Sequence, residues 1–373
     1  MKDMLKKYGV LLFVSIAALC ITLVAGIKGS KDDALYNKVS FGVKNNMNND
    51  GVKIWKNNSI AYIFLPAYAE RDSVTFSDNE YNIKLKLGSN TYESGDKIKN
   101  LELDKEYDAE LVKNNKKENF KLSFYKANDT ATIYIDTESQ SLYKVNEDKD
   151  NKEAGSMKII DRDGKINYDS DIEYISGRGN YSWMWGDKKS YNIKLNEGTD
   201  LLNLGASDKW CLNANCFDKS SLKNKMIYDF AKEMRMPFTP DTAYVDVYFN
   251  GEYAGIYLLS EKLNVEKNRV NIHDLQADND LLNGYGYHDV MIEYNNKRGY
   301  KAENEPSKMD GGYLMELLPY DREYTSGFFT RNNNVLISID SPKYITLNEL
   351  EYISKFVSVL LVYSPSTCPQ DKS

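Results

Sequence analysis

Along most of the chain, apolar and polar positions alternate in short runs, the pattern of half-buried strands. From Val52 to Lys126 the runs SIAYIFLPAYA, YNIKLKLG, LELDKEYDAEL and NFKLSFYK are separated by turn-rich SGDK and NNKKEN. This predicts a small all-β module over residues 51–127, of the sandwich type. A second series starts at ATIYIDT. MKIIDRDGKINY reads as a hairpin turning on Asp163-Gly164, and AYVDVYFNGEYAGIYLLSEK as a hairpin about Asn250-Gly251. In SYNIKL the period of two sends Tyr191, Ile193 and Leu195 to one face and Asn192 and Lys194 to the other. KWCLNANC and GGYLMELLPY read as further buried strands.

Two segments change period. DKSSLKNKMIYDFAKEMRM carries Leu222, Met226, Phe230 and Met234 at helical spacing, with Asp218 placed to cap and Pro237 and Pro240 to end it. TLNELEYISKFVSVLLVY reads as a closing amphipathic helix. The expected class is α+β: a mostly antiparallel sheet with one main helix, after a β-sandwich-like module.

The N-terminus follows a different rule. After MKDMLKK, the run YGVLLFVSIAALCITLVAGI carries no charge and is long enough to span a bilayer. The basic flank would keep the N-terminus inside and export the rest. Residues 1–27 are therefore expected to be a membrane-anchor helix. A cleaved signal peptide, with Val24-Ala25-Gly26 as its site, is the competing reading and would make the protein secreted. A lipid anchor on Cys20 fits less well, because bulky Leu19 precedes it. Residues 28–50, rich in asparagine, read as a linker.

Composition narrows function by exclusion. The net charge of −7 argues against a nucleic-acid partner. Four cysteines do not make a disulfide framework, and Cys211 and Cys216 sit at an odd spacing that would put them on opposite faces of a strand. With only His273 and His288 beside them, no zinc constellation forms. The aspartates about Gly164 lack the other ligand positions of a calcium loop and read as a turn.

The richest stretch chemically is GRGNYSWMWGDKKSYNIKL, Gly177 to Leu195. Glycines that admit backbone N–H groups to an anion, followed by a strand lysine, are the parts of a phosphate clamp. A tight turn with solvated lysines is the plain alternative. Taken in order, ISGRGNYSW, KKSYNIKL, KWCLNANCFDKSSLKNK, FNGEYAGIYLLSEKLNVEKNRVNI and GGYLMEL resemble the spore-coat CotH kinase family, an atypical protein-kinase-like group. The resemblance spans about residues 131–360.

That resemblance implies a kinase-like N-terminal lobe and ATP, with magnesium, as cofactors. It also implies phosphorylation of serine in a coat or surface protein. By the same analogy Gly177, Arg178, Gly179, Asn180 and Ser182 would cover the nucleotide and Lys194 would pair with its phosphates. Glu233 or Glu261 would orient that lysine, and Met315 and Glu316 would form the hinge beside adenine. Lys188 and Lys189 could reach phosphate or simply be solvated.

One departure counts against catalysis. The family's later asparagine–aspartate and tryptophan–aspartate–x–aspartate segments are not found, and after residue 360 the tail LVYSPSTCPQDKS (361–373 diverging) leaves the pattern. Asp218 and Asn224 superficially resemble a catalytic loop but read as a helix start. The expectation is an incomplete kinase domain whose uncovered apolar face favours association. The alternatives are a non-catalytic surface-binding module, with Trp183 and Trp185 as glycan-stacking candidates, and a purely structural coat component.

Overall fold

The computed structural model describes residues 34–43, 51–57, 59–267, 269–318, 324–330 and 335–362. The expected anchor helix, most of the linker and the divergent tail beyond residue 362 lie outside them. Among the described residues, no helix is long and apolar enough to cross a membrane. The chain is sheet-rich α+β and divides into two compact units, Met1–Asp229 with Asp241–Glu261, and Phe230–Pro240 with Lys262–Ser373.

The first unit opens with nine strands: β1 Ser40–Gly42, β2 Val52–Lys53, β3 Trp55–Asn57, β4 Ile60–Leu65, β5 Thr75–Ser77, β6 Lys84–Leu87, β7 Asn90–Tyr92, β8 Glu106–Lys113 and β9 Lys116–Lys126. They form a three-stranded sheet, β2-β1-β5, and a six-stranded one, β3-β4-β9-β8-β6-β7. Phe41 and Phe76 from the first share a core with Ile63, Leu85, Leu111 and Phe124 from the second. Each such side chain contributes about 1.5–3 kcal/mol by leaving water. Part of the expected linker belongs to this core: Ser40–Gly42 pairs with Thr75–Ser77, and Phe41 is fully buried. The asparagine-rich composition that suggested a linker begins only after Val43.

The same unit continues into a closed seven-stranded barrel: β10 Ala131–Thr137, β11 Lys152–Ile160, β12 Ile166–Arg178, β13 Ser190–Asp200, β14 Ala206–Asn213, β15 Thr242–Phe249 and β16 Glu252–Glu261. Both expected hairpins form. Asp161 accepts from the backbone N–H of Asp163 and Lys165 at the first turn. At the second, Asn250 and Gly251 both have positive φ, as a two-residue hairpin turn requires. Six pairings are antiparallel, and a parallel one, β10 with β15, closes the barrel. Tyr191, Ile193 and Leu195 point into the barrel core around fully buried Trp210, whose indole N–H donates to the Ser207 carbonyl at 2.9 Å. Two short helices, α1 Tyr143–Glu147 and α2 Tyr181–Trp185, sit in connections between barrel strands.

Helix α3, Lys223–Glu233, forms where the spacing predicts it, and the Asp218 carboxylate accepts from the Lys223 N–H at 2.8 Å. Its apolar row is uncovered, with Leu222, Met226, Phe230 and Met234 all about half exposed or more.

The second unit contains α4 Leu275–Asn283, β17 Met291–Tyr294, β18 Lys297–Tyr300, β19 Leu314–Leu318, β20 Gly327–Phe329, β21 Leu336–Ser341 and α5 Leu347–Val362. Its sheet runs β17-β18-β20-β21-β19. Leu350, Ile353 and Val357 of α5 pack on Phe328, Ile337 and Ile339. Strand β19 corrects the expectation of a buried strand: among the described residues it is an edge strand paired only with β21, and Leu317 is two-thirds exposed.

Candidate functional site

The Gly177–Leu195 stretch lies on the outside of the barrel. Strand β12 carries Tyr174, Ser176 and Arg178 on the face opposite buried Ile175, and they pair with Lys194, Asn192 and Ser190 of β13. Alternation thus delivers Arg178, Asn192 and Lys194 to one outward surface.

The glycines serve packing. A Cβ at Gly177 would stand 2.6 Å from the Trp183 ring and from the Lys149 Cα. Gly179 has a φ of +95°, which turns the chain into α2. Asn180 accepts from Lys149 Nζ at 3.3 Å, and Ser182 gives its backbone carbonyl to the Gly186 N–H. Trp183, for which packing beneath the loop and stacking on a sugar were both open, packs against Tyr191, at 6.3 Å between ring centroids.

The lysines of the loop are not free in solvent. Lys189 Nζ donates to the Trp183 carbonyl. Lys188 Nζ donates to the Ile256 carbonyl and lies 3.9 Å from the centre of the Tyr257 ring. Burial pushes its ammonium down to about 8, against the weaker pull of Asp246.

The two remaining cations differ in their partners. Lys194 is bonded to Asp208 and lies 4.0 Å from Glu173. Burial lowers its pKa, but the Asp208 bond and both carboxylate charges outweigh that and hold it above the usual lysine value. Asp208 and Glu173 thus take the place that the sequence offered to Glu233 or Glu261. Glu261 ends β16, paired with Trp210.

Arg178 is half-buried, and its Nε donates to Asn213 Oδ1 at 3.0 Å and its Nη1 toward Asn192 Oδ1 at 3.5 Å. Asn192 Nδ2 returns a bond to the Gly177 carbonyl, and Asn213 Nδ2 bonds to Ser260 Oγ. The amide planes are therefore locked with their oxygens toward the guanidinium. Among the described residues no carboxylate pairs with Arg178. A guanidinium so held has N–H donors left for an oxyanion.

Met315 and Glu316, expected as the hinge, lie on β19 in the second unit, both exposed. The structure therefore gathers Gly177, Arg178, Gly179, Asn180, Ser182 and Lys194 on the barrel, and holds the expected hinge pair in the other unit. Asn192 and Asn213, the residues that orient Arg178, were not singled out from sequence; their outward positions flanking a strand-end arginine were the available signal. Among the described residues, no three His, Cys, Asp or Glu side chains are grouped to hold a metal ion.

A family model described as CotH kinase protein matches residues 175–341. No curated protein matches the chain.

Proposed function

We propose that this chain, whose residues 175–341 match the CotH kinase protein family model, binds the phosphates of ATP on the outer barrel face, with Arg178 as the principal phosphate ligand. The observation that carries this is the half-buried guanidinium held by two asparagine oxygens and by no carboxylate. Partly desolvating a cation without a counter-ion is costly, and an arriving phosphate offsets that cost with charge-assisted bonds. Lys149, lying against Gly177, adds a second positive charge at the same end of the barrel.

The acceptor this reading implies is a serine hydroxyl on a coat or surface protein. Transfer to it would require a positioned base and carboxylates to hold magnesium. Among the described residues no three His, Cys, Asp or Glu side chains are grouped to hold a metal ion. The activity proposed for them is nucleotide binding. Placement outside the cytoplasm, through the apolar segment 8–27, belongs to the same proposal and is checked by protease treatment of intact cells.

Titration calorimetry of the full chain with ATP and with tripolyphosphate tests the site. Both should bind, and Arg178→Met should weaken each by roughly ten- to a hundredfold, the worth of a charged hydrogen bond. Absence of binding by the parent chain, or equal binding by the variant, would sink the proposal.

A further inference from the structure

A row of aromatic side chains that the phosphate site does not use covers part of the six-stranded sheet. Trp55 pairs with Tyr62 across β3 and β4, and Phe64 with Tyr125 across β4 and β9. Ring centroids are 5.6 Å apart for Trp55–Tyr62, 6.0 Å for Tyr62–Phe64 and 6.0 Å for Phe64–Tyr125. Tyr253, on β16, continues the row by stacking on Phe64 at 4.5 Å. These residues are not the module's core, which takes the alternate positions Ala61, Ile63, Leu65 and Phe124. Trp55 is 45% exposed and Tyr125 38%. Water-facing strand positions are ordinarily polar, and contiguous exposed aromatic surface marks a binding site.

At its Tyr253 end the row opens into a cleft of about 360 Å³ walled by Phe64, Tyr125 and Tyr253. Asp246 and Asn128 also line it. Asp246 is almost wholly buried, and it accepts from the Tyr253 hydroxyl at 2.6 Å and from Thr130. Each of its carboxylate oxygens can still accept another donor.

The chemistry of the lining selects the occupant. A wholly apolar ligand would return no hydrogen bond to Asn128 or to the acceptor sites that Asp246 has left. A proline-rich peptide would fit the rings, but it is poor in N–H donors, which a carboxylate needs. Lys126 and Asp129 also line the cleft with opposite charges, and Asp129 is paired with Arg162, so buried Asp246 is the carboxylate left to repel an acidic glycan. A neutral sugar satisfies both parts, with C–H faces against the rings and hydroxyls donating to the carboxylate. We infer that the row and cleft bind an extended neutral polysaccharide. Trp55, Tyr62, Phe64 and Tyr125 form its stacking surface, and Asp246 and Asn128 take its hydroxyls.

Affinity electrophoresis of the full chain in mild detergent tests this, in gels containing hydroxyethylcellulose, galactomannan or arabinoxylan, with alginate as the acidic control. Retardation is expected in at least one neutral gel. Trp55→Ala and Tyr125→Ala should each weaken it roughly tenfold, while Tyr125→Phe, which keeps the ring, should retain it. Arg178→Met should leave it unchanged, which separates this site from nucleotide binding. The inference fails if no neutral gel retards the chain, or if alginate alone does. Retention that survives both alanine variants, or loss of polyproline-peptide binding rather than glycan binding in them, overturns it equally.

Discussion

Arg178 and Lys194 stand on the same outward face of one strand pair, four positions apart along the β12·β13 ladder. By the family resemblance Lys194 was expected to pair with phosphates and Arg178 to cover the nucleotide, and both are half-buried cations. Lys194 is already neutralised by Asp208 and Glu173, whereas Arg178 is aimed by neutral amides. An ion pair completes a surface; a cation oriented by amide oxygens leaves its charge for a ligand. The identity of the neighbour, more than the identity of the cation, separates a structural charge from a binding one.

The largest test of this contrast is the loss of ATP affinity in Arg178→Met, which should come with an unchanged melting temperature. Lys194→Met should give the mirror image. It leaves Asp208 partly buried without its cation and should cost about 1–3 kcal/mol of stability in denaturant titrations, with ATP affinity shifted less than about threefold. If Lys194→Met instead abolishes binding and spares stability, the two roles are reversed.

A smaller effect is expected from Asn213→Ala, which frees the guanidinium to wander. About 1 kcal/mol, roughly fivefold in affinity, should be lost on calorimetry. The finest test is pH. An arginine keeps its proton throughout, so tripolyphosphate affinity should stay within about twofold from pH 7 to pH 9. Were Lys188 the ligand, affinity would fall as pH rises through about 8, because the ammonium that attracts the phosphate loses its proton there.

The parts legible in the sequence were those written locally. The alternation in SYNIKL, the turns at Asp163-Gly164 and Asn250-Gly251 and the helical spacing after Asp218 all depend on neighbours a few residues away. Barrel closure does not: it rests on Ala131–Ile135 lying beside Val245–Phe249, a pairing without a local signature. The partner of Lys194 was hidden for a related reason. The register shifts between Lys194 and Thr199, so strict alternation does not predict which residues of β14 face β13. The exposure of β19 was misread because a run of apolar residues looks alike at a sheet's centre and at its edge. The hairpin β17–β18 could have been found, since Asn295 and Asn296, both at positive φ, sit between two strand-like runs.

The turn at Asn250-Gly251 reaches beyond its own hairpin. Its carbonyls accept from the N–H and the ammonium of Lys53 in β2, while Asn250 also bonds to Ile135 and Thr137 of β10. Tyr134 and Tyr248, on the outside of the barrel, are members of the module's own core. The module and the barrel therefore share atoms that neither can release alone. Heat should take them apart in one calorimetric transition, and excising the module would expose a greasy wall on the barrel and leave an inclusion body rather than a smaller protein.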